Sequence, residues 1–147
     1  MLLLGGFQTA SAFDATTRAT AYWAWMNTFF YTNSSGEPVF RNQEGGNAST
    51  SFWQGAEMIE VVEDAVVAGV DTTNHVVQLC TSFLHDNSSN WSWNTFNDDI
   101  MWASRAFNRA YQLTGNTNYL YTAQANWDIA FNRGWDFADG GDRKSVV

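Results

Sequence analysis

Two adjacent carboxylates are the residues of this sequence best placed to do chemistry. Asp98 and Asp99 lie in the run Trp91-Ser92-Trp93-Asn94-Thr95-Phe96-Asn97-Asp98-Asp99-Ile100-Met101-Trp102, with aromatic residues on both sides. Hydrolysis of a glycosidic bond needs two carboxyl groups at the scissile bond, one ionised and one protonated. A helix that starts at Asn97 could supply both conditions. Amide dipoles of its first turn favour an anion, and an apolar wall of Phe96 and Trp102 favours a protonated acid. Consecutive Cα atoms are ~3.8 Å apart and helical side chains diverge by ~100°. The two carboxyl carbons would then sit roughly 5–7 Å apart, nearer the retaining than the inverting spacing. A purely structural role competes, because Asn and Asp are favoured N-caps and acids in a first turn complement the helix dipole. A cap uses one carboxylate, so the second Asp and the four flanking aromatics favour chemistry.

Composition points the same way. The 147-residue chain is 16% aromatic and holds eight Trp. Core packing seldom needs so many, since each indole N–H wants a partner. Sugar clefts do use them, because the C–H face of a pyranose stacks on an aromatic ring while Asp and Asn bond the hydroxyls. Trp53, Trp91, Trp93 and Trp102, with Asn97, are therefore the candidate substrate-binding residues. The net charge of -8 repels phosphate backbones and argues against nucleic acid. No basic amphipathic stretch suggests a membrane surface, and stable membrane insertion is not expected. Cys80 is alone, has no disulfide partner in the chain, and reads as a small buried hydrophobe. His75 and His85 stand apart without ligand spacing, so neither a metal nor another cofactor is expected.

Five helical segments must position these residues. The spacing predicts helices near 15–31, 52–68, 72–85, 98–114 and 117–132. Asp14 precedes the first. Ser51-x-x-Gln54 forms a capping box for the second, and Gly69 stands just past its end. Gly115 ends the fourth, and Asn116 opens the fifth. No segment alternates with period two, so the fold class is all-α. Gly69 and Gly115 each follow a long helix and mark a 46-residue offset at which Phe52 and Trp53 fall on Asp98 and Asp99. Two stacked helical hairpins would start their second and fourth helices on one rim. The loops at 34–50 and 86–96 would line a cleft there.

The ends carry different signals. Residues 1–12 read as an export signal closing on Ala10-Ser11-Ala12. Asn-x-Ser sequons at Asn33, Asn47, Asn87 and Asn90 fit a secreted protein. Residues 142–147 continue no earlier pattern and read as a non-native scar. That leaves 13–141 as catalytic-domain sequence.

The segment Asn97–Trp102, followed by Ala110-Tyr111-Gln112-Leu113-Thr114-Gly115-Asn116 and Tyr119-Leu120, resembles glycoside hydrolase family 76, the endo-α-1,6-mannanases and related fungal cell-wall proteins. Phe52-Trp53-Gln54-Gly55-Ala56-Glu57 is similar to that family's first inner helix, and Asp139-Gly140-Gly141 to the start of its glycine-rich motif. The resemblance implies part of an (α/α)6 barrel, about five of twelve helices, acting on α-mannan. It implies Asp98 as nucleophile and Asp99 as general acid/base, with retention and no cofactor. It also implies secretion or a cell-wall location, a monomer at full length, and no activity for this stretch alone. Three alternatives stand beside it: a cell-wall transglycosylase of the same family, a non-catalytic helical glycan-binding module, and an (α/α)6 epimerase. The absence of a plausible catalytic His near Asp98 argues against the last.

Overall fold

The computed structural model describes residues 14–136 and 141–142. Its helices are α1 (Ala15–Phe29), α2 (Phe52–Val67), α3 (Thr73–Asn87), α4 (Asn97–Thr114) and α5 (Thr117–Gly134). Two short antiparallel pairs accompany them: β1 (Phe30–Thr32) with β2 (Pro38–Phe40), and β3 (Trp135–Asp136) with β4 (Gly141–Asp142). The expected export signal and most of the expected scar lie outside the described residues. The backbone of Asp142 pairs with Trp135.

Local chemistry accounts for most boundaries. Asp14 caps α1 by accepting from the Thr17 N–H at 2.7 Å. Gln54 Oε1 accepts from both the N–H and the hydroxyl of Ser51, at 3.1 and 2.9 Å. Gly69 and Gly115 take left-handed φ values of 70° and 73°, where a Cβ would be strained, and each turns the chain into the next helix.

The first helix departs from expectation. It ends at Phe29, and Phe30 and Tyr31 enter a strand instead of a last helical turn. The cause is the turn that follows. Asn33 Oδ1 accepts from the N–H groups of Ser35 and Glu37, at 3.0 and 2.9 Å, and Gly36 takes φ 83°. Pro38 then keeps the returning chain extended. Three residues a side are too few to register as period-two alternation. Phe40 is buried against Trp25, with ring centroids 4.7 Å apart.

The core lies where α4 packs on α2, α3 and α5. Ala56 on α2 and Ala103, Ala106 and Ala110 on α4 are fully buried small residues that let backbones approach, and Phe107 fills the centre. Gly55 contributes similarly, because a Cβ there would meet the Phe83 ring at 3.3 Å. The order of cross-helix pairs shows that α2 and α4 run in the same direction. Trp53 meets Trp102, Glu60 meets Arg105, and Asp64 meets Arg109. The two helices therefore start on one rim, as the repeat predicted. No helix among the described residues is long and apolar enough to cross a membrane.

Below that rim, α2 and α4 share a charged seam. Arg105 Nε lies 3.2 Å from Glu60, while Arg109 reaches Asp64 at 2.5 Å and Glu63 at 3.5 Å. Glu63 is fully buried, and neither of its oxygens makes a hydrogen bond among the described residues. Burial pushes its carboxyl up from 4.5 to about 8, against the lowering field of Arg109. Between those values the folded state holds a proton that the unfolded state has released. The stability this contributes is fully present below the unfolded value and is lost as pH rises through the folded one. Chemical denaturation should therefore show stability falling from pH 5 to pH 9. Glu63→Gln should flatten that slope and exceed the wild type at pH 9 by on the order of 1–3 kcal/mol. A wild-type curve that rises over this range would contradict the assignment.

Candidate active site

The segment ahead of the paired carboxylates has little regular backbone bonding of its own, so its polar groups must be satisfied from elsewhere. The turn Trp91–Asn94 closes with the Asn94 N–H on the Trp91 carbonyl at 2.9 Å. Two α5 side chains hold the rest. Asn126, fully buried, accepts from the Trp91 N–H at 2.8 Å and donates to the carbonyls of Ser89 and Thr122, both at 2.8 Å. Arg133 donates to the carbonyls of Asn94 and Ser92, at 2.7 and 2.5 Å.

This anchoring settles the place of Trp91. It was expected to bind substrate, but it is 0% exposed. Its ring packs against Phe52, Phe83 and Phe107, and its indole N–H donates to the Ser88 carbonyl at 2.9 Å. Trp91 is a core residue, and that expectation is corrected. The period and composition of the loop did not reveal the burial, because the partners come from α2, α3 and α4.

Asn94 then joins the loop to the carboxylates. Its Oδ1 accepts from the Phe96 N–H at 2.9 Å, and its side-chain amide donates to Asp99 Oδ2 at 3.1 Å. Asp99 is half-buried and Asp98 exposed, both in the first turn of α4. The expected wall is only partly present beside them, since Phe96 is itself largely exposed. Asn97 is half-buried, and its Oδ1 makes no hydrogen bond among the described residues.

Three of the four candidate tryptophans do face solvent. Trp53 is 42% exposed and Trp102 36%, their rings 5.8 Å apart across the start of α2 and α4. Trp93 is 56% exposed, stands edge-on to Phe52 at 5.4 Å, and directs its N–H toward the Asn87 carbonyl at 3.4 Å. A hollow of about 650 Å³ opens beside Trp102 between α4 and α5, where Arg105, Asn108, Gln124, Trp127 and Asp128 also line it. A smaller one of about 230 Å³ reaches Asn97, Met101, Phe131 and Trp135. Asp98 and Asp99 lie outside both hollows, on the rim above. Sequence reasoning missed Asn94, Asn126 and Arg133. The first stood in the right motif, but the other two carry no local signal.

Stacked helical hairpins, with two acids in the first turn of α4, define an all-α architecture consistent with an (α/α)6 barrel. No family model matches the chain, nor does any curated protein. Among solved structures it is similar to the GH76A alpha-1,6-mannanase from Salegentibacter sp. HEL1_6, with a TM-score of 0.66 at 26% identity. That match covers 87% of this chain and 37% of the mannanase. The chain thus has the fold of glycoside hydrolase family 76 over a little more than a third of such an enzyme.

Asn126→Ala should strip partners from three backbone groups and destabilise the protein by about 2–4 kcal/mol. Trp91→Ala should cost a similar ~3–5 kcal/mol through the cavity it leaves. Denaturant midpoints check both, and a loss below about 1 kcal/mol in either would show that the loop is held by other contacts.

Proposed function

We propose that this chain is part of a retaining endo-acting hydrolase of α-1,6-mannosidic linkages, with Asp98 as nucleophile and Asp99 as general acid/base. The carrying observation is the pair Asp98–Asp99 at the start of α4, beside the exposed Trp53–Trp102 pair, in a fold shared with an α-1,6-mannanase. Trp53, Trp93 and Trp102 would stack on sugar rings, and Asn97 would bond a hydroxyl. The substrate is then an α-mannan polysaccharide or oligosaccharide. With it go secretion or a cell-wall location, and a monomeric enzyme at full length.

In the first step an Asp98 carboxylate oxygen attacks the anomeric carbon while Asp99 gives its proton to the departing glycosidic oxygen. The products are a covalent mannosyl–Asp98 ester and a shortened chain. In the second step Asp99 takes a proton from water, the water oxygen attacks the anomeric carbon, and Asp98 leaves as carboxylate. Two displacements restore the starting configuration. Asn94, bonded to Asp99, acts as a positioning residue.

The test is made on an enzyme with a complete catalytic domain. Asp98→Ala should abolish turnover of every mannoside. Asp99→Ala should lose most, about 10²–10⁴-fold, on substrates with poor leaving groups, and little on activated ones. Azide should partly restore Asp99→Ala and yield a glycosyl azide of retained configuration. An inverted product from the wild type, or full activity in Asp98→Ala, would return these acids to a helix-capping role. Asn94→Ala should lower kcat about tenfold or more with KM nearly unchanged. A change confined to KM would show that Asn94 serves binding instead.

A further inference from the structure

At the end of α3, three side chains with metal-ligating atoms converge. Glu37, in the turn between β1 and β2, meets His85 and Asp86 near the end of α3. His85 Nδ1 lies 2.5 Å from Glu37 Oε1 and 3.3 Å from Asp86 Oδ1. One ligand atom from each of the three falls within 4.8 Å of the others. Glu37 is the fixed member, with its side chain 18% exposed and its second oxygen accepting from the Asn33 side-chain amide at 3.3 Å. His85 and Asp86 are 66% and 43% exposed at the side chain and can rotate toward it.

The charges do not balance among themselves. Two carboxylates face one imidazole, so even a protonated His85 leaves a net negative charge on the cluster. A divalent cation would neutralise it. An imidazole nitrogen selects a borderline transition ion such as zinc over calcium or magnesium, which prefer all-oxygen sets. Zinc takes nitrogen and carboxylate ligands at about 2.0–2.2 Å in a tetrahedron. The His85 Nδ1 to Asp86 Oδ1 spacing of 3.3 Å suits two such ligands on one ion, whereas His85 Nδ1 and Glu37 Oε1, at 2.5 Å, must separate to about 3.3 Å to admit it.

We propose that Glu37, His85 and Asp86 form a zinc-class divalent metal site, with water in the fourth position, that ties the β1–β2 turn to the end of α3. Its ligands include neither Asp98 nor Asp99, and it does not depend on the mannan reading. Neither histidine has ligand spacing in the sequence, because Glu37 and His85 belong to different elements that only the fold brings together.

The chelator-treated 147-residue chain should take up one equivalent of ZnCl₂ by titration calorimetry, and its melting temperature should rise. Co²⁺ in place of Zn²⁺ should give visible d–d absorption in the wild type, a readout that needs no variant. His85→Ala and Glu37→Gln should each weaken zinc binding by about tenfold or more while keeping the helical circular dichroism. His75→Ala should leave it unchanged. No uptake, no cobalt absorption, uptake indifferent to His85→Ala, loss in His75→Ala, or equal binding of Ca²⁺ would each overturn the site and leave a simple His–carboxylate ion pair.

Discussion

The indole of Trp91 fills the space where α2, α3 and α4 converge, and its backbone N–H is held from α5 by Asn126. That one residue is thus coupled to four helices. A buried aromatic of this size sets the spacing of the elements around it, because interiors pack without large voids. The backbone on either side has few ladder bonds, so Asn126 and Arg133 supply its partners. The first turn of α4 inherits its position from this arrangement through Asn94, which touches both the Phe96 N–H and Asp99. The placement of a carboxylate on the rim is therefore a consequence of core packing several residues away.

Along the shared face of α2 and α4 the chemistry changes with depth. Trp53 and Trp102 stand near the rim, and the ion pairs Glu60–Arg105 and Asp64–Arg109 follow below. Aromatic faces near the acids suit a sugar ring. The charged pairs farther down hold the two helices in parallel. Glu63 sits behind them in full burial, where a carboxylate without a hydrogen bond is costly and a protonated one much less so. The same seam that keeps α2 beside α4 thereby makes stability respond to pH. The β1–β2 turn approaches the end of α3 through side chains of Glu37, His85 and Asp86, while Phe40 of β2 joins Leu79 and Phe83 of α3 in the core.

Much of the local structure was legible in the sequence, including Asp14 and Ser51 at helix starts, Gly69 and Gly115 at helix ends, and the apolar stripes of α2 and α4. The reason is physical range. A cap or a left-handed glycine acts within a few residues of its own position. The 46-residue offset carried this one step further, because equal hairpins stack with their helices in step. It correctly placed Ser51 and Asp98 on one rim.

Tertiary structure alone decided which of the aromatics are buried. Trp91 and Trp93 are two residues apart in one loop with similar neighbours, yet one is 0% and the other 56% exposed. The difference lies in Phe52, Phe83, Phe107 and Asn126, which arrive from other helices and leave no trace in the loop itself. The hold of Arg133 on the loop and the meeting of Glu37 with His85 have the same origin. Each depends on contacts between distant segments, whose energies enter only after the helices have packed. The sequence by itself determined the capped helix starts, the glycine stops of α2 and α4, and that two carboxylates open α4. Which side chains face solvent around those carboxylates was decided by packing, because burial is a property of neighbours and not of residue type.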